Sequence, residues 1–499
     1  MIHHAMFLYL VVTSCVCLLA WVYLRWLQVK QYWAKLNVPF IEPHPVLGNL
    51  DLLIKGNPAD FMLEIYNRSN GSLYTGIWQL WRPTIVINCP KIAERILIKD
   101  FDNFRDRFAV TGESDPTGSL NLFFLKEPKW SSVRRHLTPV FTSAKLRMLE
   151  DLAEIKSKQL TQRIYHELSK NEAIDIKALY TDFTTDIIGT ASFGIESDAT
   201  LTGDGPLRKV TKELSQFSLY RKLAWGCYFL LPEYVDMFGF TFFPKSTNAY
   251  FLKIFHEAVQ LRGGFDHAPK ENKDLLDALI KMKYDAATKN EEMGEDLLVA
   301  QAAVFLQGGF ETTASNLTFL SVELAHNPKV QEKLYQELLA AKQKHGKLDA
   351  KNLSELKYLN SIIKETLRKY PITPSLIRVP TKNYKIDDKL TIEAGTPVLI
   401  NLYSMHVNPK YYSDPMTFDP ERFNGNEERI LMAFGQGPRK CIGERFAYQQ
   451  IRYAVAAIFL NFELRPRAGS PKSCDIKFAK HSTLIIPADV LTVDFVPRK

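Results

Sequence analysis

The run Phe434-Gly435-Gln436-Gly437-Pro438-Arg439-Lys440-Cys441-Ile442-Gly443 constrains this chain more than any other segment. Gly435, Gly437 and Gly443 let the backbone adopt φ > 0 or approach a flat ligand closely, and Pro438 stiffens the turn between them. Downstream, Phe446, Ala447, Gln450, Ile451, Ala454, Val455 and Phe459 recur at helical spacing, which predicts that Cys441 sits near a helix N-terminus. Exposed amides and the helix dipole there favour a thiolate. Taken without its neighbours, a single cysteine reads as a small buried hydrophobe. A Walker phosphate loop is excluded, because Lys440 is followed by cysteine.

The rest of the chain bounds what surrounds this loop. Its 499 residues contain no internal repeat and no linker, which predicts one large domain behind any terminal segment. A composition of 46% hydrophobic and 12% aromatic residues supports a large core and argues against disorder. The formal charge of +8 is spread along the chain with no basic run interleaved with aromatics, so no nucleic-acid partner is implied. Cys15, Cys17, Cys89, Cys227, Cys441 and Cys474 have neither disulfide-framework nor zinc-site spacing, which fits a reducing compartment. Glycosylation triplets at Asn67, Asn70, Asn316 and Asn352 matter only in a lumenal chain.

Ala5 to Leu24 carries no charge and is long enough to cross a bilayer as a helix of about 20 residues. A cleaved signal peptide is the alternative, but the apolar run is long and no clear cleavage site follows. Trp21, Tyr23, Trp26, Tyr32 and Trp33 stand where an interfacial belt belongs, and Arg25, Lys30 and Lys35 place the downstream side in the cytosol. Residues 1–38 are therefore expected to form the anchor and its flank. A stiff hinge at 39–48, with Pro39, Pro43, Pro45 and Gly48, leads into a body of residues 39–499.

Within the body, two β-rich runs around Trp81-Arg82-Pro83 predict a hairpin between Ser72 and Asn88. Helical periodicity predicts helices over Ile92–Ile98, Leu149–Leu168, Thr185–Phe193, Leu275–Met282, Leu297–Ala325, Pro328–Lys344 and Leu353–Tyr370. Short strands are expected at Lys385-Ile386, Thr396–Ile400, Thr483–Ile486 and Leu491–Phe495, so the fold class is mainly α with small peripheral sheets. Tyr228–Phe243 is aromatic but interrupted by Pro232 and Gly239, and reads equally as core packing or as a membrane-touching segment. Gly308-Gly309 inside the long helix costs roughly 1 kcal/mol per glycine relative to alanine. By itself the pair reads as a packing notch.

The loop at Cys441 resembles the haem-ligand loop of the cytochromes P-450, and four further motifs stand in that family's order: Trp130-x-x-x-Arg134, Gly308-Gly309-Phe310-Glu311-Thr312-Thr313, Glu365-x-x-Arg368 and Pro420-Glu421-Arg422-Phe423. The resemblance implies the P-450 fold, with Cys441 as axial ligand of the iron of haem b. It implies that Thr312 and Glu311 deliver protons beside a glycine-opened helix turn, and that Arg422 joins Glu365 and Arg368 in a buried network supporting the loop. The family often has alanine where Gly308 stands. Trp130, Arg134, Arg378 and Arg439 match positions that meet the haem propionates, with Arg107 a further candidate two residues from Arg105.

The resemblance further implies a monooxygenase: O2 as co-substrate, two electrons from NADPH through NADPH-cytochrome P-450 reductase, cytochrome b5 as a further partner, and an endoplasmic reticulum membrane with the body in the cytosol. The segment from Lys129 to Leu146 and the glycine-pair helix look most like the insect microsomal group of xenobiotic oxidases. A haem-thiolate isomerase or dehydratase acting on peroxides is the alternative, and Thr312 argues against it; a non-catalytic haem or lipid carrier leaves the Glu311-Thr312 pair without a purpose. Substrate choice is expected from 108–124, 214–243, 304–311, 372–377 and 481–484, all apolar enough to imply a hydrophobic small molecule.

Overall fold

The computed structural model describes residues 2–170, 173–216, 218–269, 273–289, 293–425, 430–480 and 482–498. Helices dominate. Those that position the site are α1 (Ile2–Lys30), α2 (Lys129–Leu137), α3 (Glu150–Ser169), α4 (Ile176–Phe193), α5 (Leu219–Leu230), α6 (Glu295–His326), α7 (Pro328–His345), α8 (Lys357–Lys369) and α9 (Glu444–Asn461). The main sheet holds β1 (Tyr74–Gln79), β2 (Arg82–Ile87), β3 (Leu376–Arg378) and β4 (Val398–Ile400) in the order β1-β2-β4-β3. A separate antiparallel pair joins β5 (Phe462–Pro466) to β6 (Val493–Pro497).

The 32-residue α6 is the axis of the molecule, buried almost throughout from Leu298 to Ala325. Being apolar on every side, it packs neighbours on all faces. Against it lies α4, started by the Asp175 carboxylate accepting the Lys177 and Ala178 amides at 2.9 and 3.0 Å and ended by Gly194 at φ 62°. The hairpin turns through Leu80-Trp81, with Gln79 opposite Arg82 and Leu80 at φ 54°. Parallel pairing of Ile85 with Val398 and antiparallel pairing of Val398 with Arg378 then carry Arg378 into the interior.

Several elements differ from the sequence expectation. The helix expected over Leu353–Tyr370 breaks at Leu356, because the Glu337 carboxylate of α7 accepts the Tyr358 and Leu359 amides at 2.9 and 2.8 Å and starts α8 afresh. Ile92–Ile98 splits into a short helix over Pro90–Glu94 and a wider π turn over Arg95–Lys99. Thr483–Ile486 forms no strand; Ile485 donates instead to the Ile372 carbonyl at 2.8 Å. Trp33, read as interfacial, is buried, its ring on Gly76 and its Nε1 donating to the Ile77 carbonyl at 3.1 Å. Tyr228–Phe243 divides: Tyr228, Val235, Phe242 and Phe243 are core, whereas Met237 and Phe238 are exposed.

Candidate active site

The cysteine loop is held by its own backbone. Gly435 and Gly437 have φ of 74° and 72°, and a Cβ on Gly437 would collide with the Leu97 carbonyl of the π turn. The Cys441 amide donates to the Phe434 carbonyl at 2.9 Å and that of Lys440 to Gly437 at 3.0 Å. The chain enters α9 at Glu444, directly after Gly443. The Cys441 side chain is surrounded by protein yet exposed, so it faces a hollow inside the molecule. Burial pushes its thiol up, and Glu444 adds to this; the Gly443 amide, Arg134 and Arg107 act in the opposite direction without prevailing. The helix-start advantage expected from sequence is thus outweighed by desolvation in the chain alone.

Phe141 spans from the first turn of α9 to α6, stacked on Phe305 at 5.2 Å and 6.5 Å from Phe446. The two α6 glycines have different surroundings. A Cβ on Gly309 would stand 2.6 Å from Ile188 of α4, so this glycine is a packing notch. A Cβ on Gly308 would meet nothing within 4 Å. One turn on, Thr312 Oγ1 donates to the Gly308 carbonyl at 2.7 Å, and its side chain is partly exposed. Glu311 leaves the helix in another direction: it is buried, ion-paired with Lys177 of α4, and accepts from Ser315 at 3.2 Å and Ser215 at 3.3 Å. Thr312 and Glu311 therefore share a helix turn but no partner.

Four guanidinium groups converge on the same region. Arg439 makes three bonds within the chain, to the Arg105 carbonyl at 2.6 Å, the Leu125 carbonyl at 2.9 Å and Asp106 at 3.0 Å, and its Cζ lies 4.0 Å from the centre of the Trp130 ring. Arg107 reaches the Phe123 carbonyl at 2.7 Å and the Arg439 carbonyl at 3.2 Å. Arg378, 2% exposed, bonds the Ile377 carbonyl and leaves Nε without a partner. Burial, then repulsion by Arg439, draws its pKa down to about 9, still charged at neutral pH. Burial, then Arg378, Arg439 and Arg134, lowers Arg107 strongly, and burial lowers Arg134. A cluster of cations with an orphaned buried donor is chemically matched to a ligand with two carboxylates. These residues fit haem, whose propionates are such a pair. Arg105, by contrast, is at the surface with Asp102 and Glu127.

Behind the loop, Glu365 and Arg368 form two parallel bonds of 2.7 Å at zero exposure. Arg422 Nε stands 3.4 Å from the same carboxylate while its other nitrogens bind loop carbonyls, Asp414 among them at 2.8 Å. Of the segments expected to choose substrate, Phe123 and Phe124 lie 5.8 and 6.0 Å from Phe229 of α5, and Arg82 covers Phe108 at 4.8 Å. His481 lies outside the described residues. Sequence reasoning missed Lys177, Thr184, whose hydroxyl bonds the Phe310 carbonyl at 3.0 Å, and Asp106. Each acts across more than a hundred residues of chain, and nothing local marks it.

The family model described as Cytochrome P450 matches residues 38–490. Cytochrome P450 6k1 of Blattella germanica is 32% identical over 492 residues, covering 93% of each chain. Probable cytochrome P450 6a13 of Drosophila melanogaster is 32% identical over 95% of this chain and 96% of its own length, and probable cytochrome P450 6d5 of the same fly is 30% identical over 96% and 98%. With this coverage and the helical fold around the Cys441 loop, the chain belongs to the cytochrome P450 family and is a haem-dependent monooxygenase that uses O2.

Proposed function

We propose that this enzyme is a membrane-anchored monooxygenase of hydrophobic small molecules, supplied with NADPH electrons by NADPH-cytochrome P-450 reductase and assisted by cytochrome b5. What supports it is the Cys441 thiol, exposed on a fixed loop inside the protein, together with Thr312 beside the open space at Gly308. Cys441 would hold the iron of haem b, with Arg107, Arg134, Arg378, Arg439 and Trp130 at the propionate edge. Haem held this way supplies O2 activation and transfer of one oxygen atom. Thr312 holds its hydroxyl proton on the Gly308 carbonyl beside the open turn, and Glu311, on another side of the helix, would relay protons through its pair with Lys177. The aromatic group of Phe123, Phe124 and Phe229 favours apolar substrates and excludes water.

Residues 1–38 would anchor the chain in the endoplasmic reticulum membrane, with residues 39–499 as the cytosolic catalytic domain. Among the described residues, one helix is long and apolar enough to cross a membrane, and none of its apolar window is buried. Leu219, Leu223, Met237 and Phe238 are exposed apolar groups that would touch the same bilayer. The test is spectral and catalytic. The ferrous carbon-monoxide complex should show the red-shifted Soret band of thiolate ligation, and Cys441→Ala should lose it. With reductase, product formation should require NADPH; Thr312→Ala should keep the spectrum but release hydrogen peroxide in place of product. Reductase-independent turnover of a peroxide would instead support the isomerase reading.

A further inference from the structure

A cavity of about 430 Å³ has no residue of the cysteine loop in its wall. It is half-open and is walled by the end of α1, the β1–β2 turn and the loop 393–397. Its depth relative to a bilayer follows from the sequence. The uncharged stretch Ala5–Leu24 rises about 30 Å at 1.5 Å per residue, the thickness of the hydrocarbon core. Arg25, Gln28 and Val29, which line the cavity, follow within the next roughly 2–8 Å of helix, whereas the headgroup zone is about 5–7 Å deep. The cavity therefore lies at headgroup level, and its volume is in the range of small-ligand sites, about 300–1,000 Å³.

Its chemistry is mixed in sign. The Arg25 guanidinium bonds only Gln28, at 3.3 Å, and neither Arg25 nor Glu393 has an ion-pair partner among the described residues. The third charged group of the wall, Arg82, is already paired with Glu233 and bonded to the Leu230 carbonyl at 3.0 Å. The remaining wall combines aromatic and apolar groups, Tyr32, Trp81, Pro83 and Val29 among them, with the polar Gln28 and Thr396. Glu393 acts on the Tyr32 phenol, whose pKa is raised first by burial and then by this carboxylate, so the acidic and aromatic parts of the wall are neighbours.

We propose that this cavity binds the headgroup of a zwitterionic phospholipid, its phosphodiester against Arg25 and its ammonium against Glu393 with the faces of Tyr32 and Trp81. An unpaired cation and an unpaired anion in one cavity match a ligand carrying both charges, and aromatic rings receive an alkylammonium by cation–π attraction. A purely anionic headgroup would satisfy Arg25 and be repelled by Glu393. Such a lipid would fix the angle between the membrane helix and the body, because the cavity has walls from both.

The proposal rests on the membrane reading of α1, and the test separates the two. Full-length haem-loaded protein is first floated with phosphatidylcholine vesicles, then released in non-ionic detergent for native mass spectrometry of retained lipid. Wild type should float and retain phosphatidylcholine and phosphatidylethanolamine about tenfold better than phosphatidylglycerol. Arg25→Ala and Glu393→Ala should each lower phosphatidylcholine retention about tenfold, as for loss of one charge-assisted contact, with the carbon-monoxide spectrum unchanged. Glu393→Ala should also raise phosphatidylglycerol retention. A chain that fails to float overturns both readings. A chain that floats but retains the three lipids equally, or whose variants retain phosphatidylcholine as wild type does, overturns the headgroup site alone.

Discussion

Two sets of arginines, buried or half-buried, stand around the cysteine loop, and they differ in what balances them. Arg368 and Arg422 share the Glu365 carboxylate and have carbonyl oxygens for their remaining nitrogens. Burial, then Arg378, Arg439 and Arg134, depress Arg107, while burial and then Arg439 depress Arg378, which keeps an unpaired Nε. The first set has its charge balanced within the chain by Glu365, although Arg422 Nε, like that of Arg378, makes no hydrogen bond; the second has no such carboxylate and would be balanced by the anionic ligand proposed above. Burial alone does not tell a structural arginine from a binding one. The balance of charge does.

The strongest way to break this contrast is Glu365→Ala. It leaves two buried guanidinium groups without a carboxylate and should cost about 3–5 kcal/mol in denaturant unfolding, with loss of haem. A change under about 1 kcal/mol would show that the carbonyls alone satisfy them.

His406 sharpens the same side, since its carbonyl accepts from Arg368 at 2.9 Å and its imidazole is buried. Burial, then Arg368, draws its pKa down to about 3, so the folded state keeps it neutral. Its contribution is complete above the unfolded-state value near 6.5 and is lost as pH falls toward 3, because only the unfolded chain takes up the proton. Stability should decline by about 1.4 kcal/mol per pH unit over that window from this group. His406→Gln should flatten the slope, as read by urea unfolding at pH 7, 6 and 5.

On the ligand side, Arg378→Met removes a cation with no carboxylate partner. Haem transfer to an acceptor protein should accelerate about tenfold, as expected for one lost charge-assisted contact, while the urea midpoint moves little. If unfolding and haem loss shift together, Arg378 belongs with the structural set. The last comparison concerns the glycine pair of α6. Gly308→Ala should stabilise by about 1 kcal/mol through helix propensity, whereas Gly309→Ala should destabilise by about 1–3 kcal/mol against Ile188. Calorimetry giving the same sign for both would contradict the separate roles assigned to them.

Much of this was legible in order along the chain. The glycine spacing around Cys441, the uncharged run at the N-terminus and the periodicity of α6 are local signals, and each follows from the conformational freedom or hydrophobicity of adjacent residues. The Glu365-x-x-Arg368 pair is likewise local, because i and i+3 share a helix face. What local pattern did not show were places where a distant group intervenes. Glu337 interrupts the helix before α8, Gly76 takes Trp33 out of the interface, and Lys177 takes hold of Glu311.

The sequence by itself therefore determined which residue types were available to the site and which helices and turns would carry them, since backbone preference and burial pattern are properties of neighbours in the chain. Only the tertiary structure decided which of those residues share a partner. Gly308 and Gly309 are adjacent and chemically identical, yet one faces open space and the other Ile188. Arg378 and Arg368 are equally buried, yet one lacks the carboxylate that the other has. Charge compensation and close packing depend on distance in space, and a linear pattern does not contain that distance.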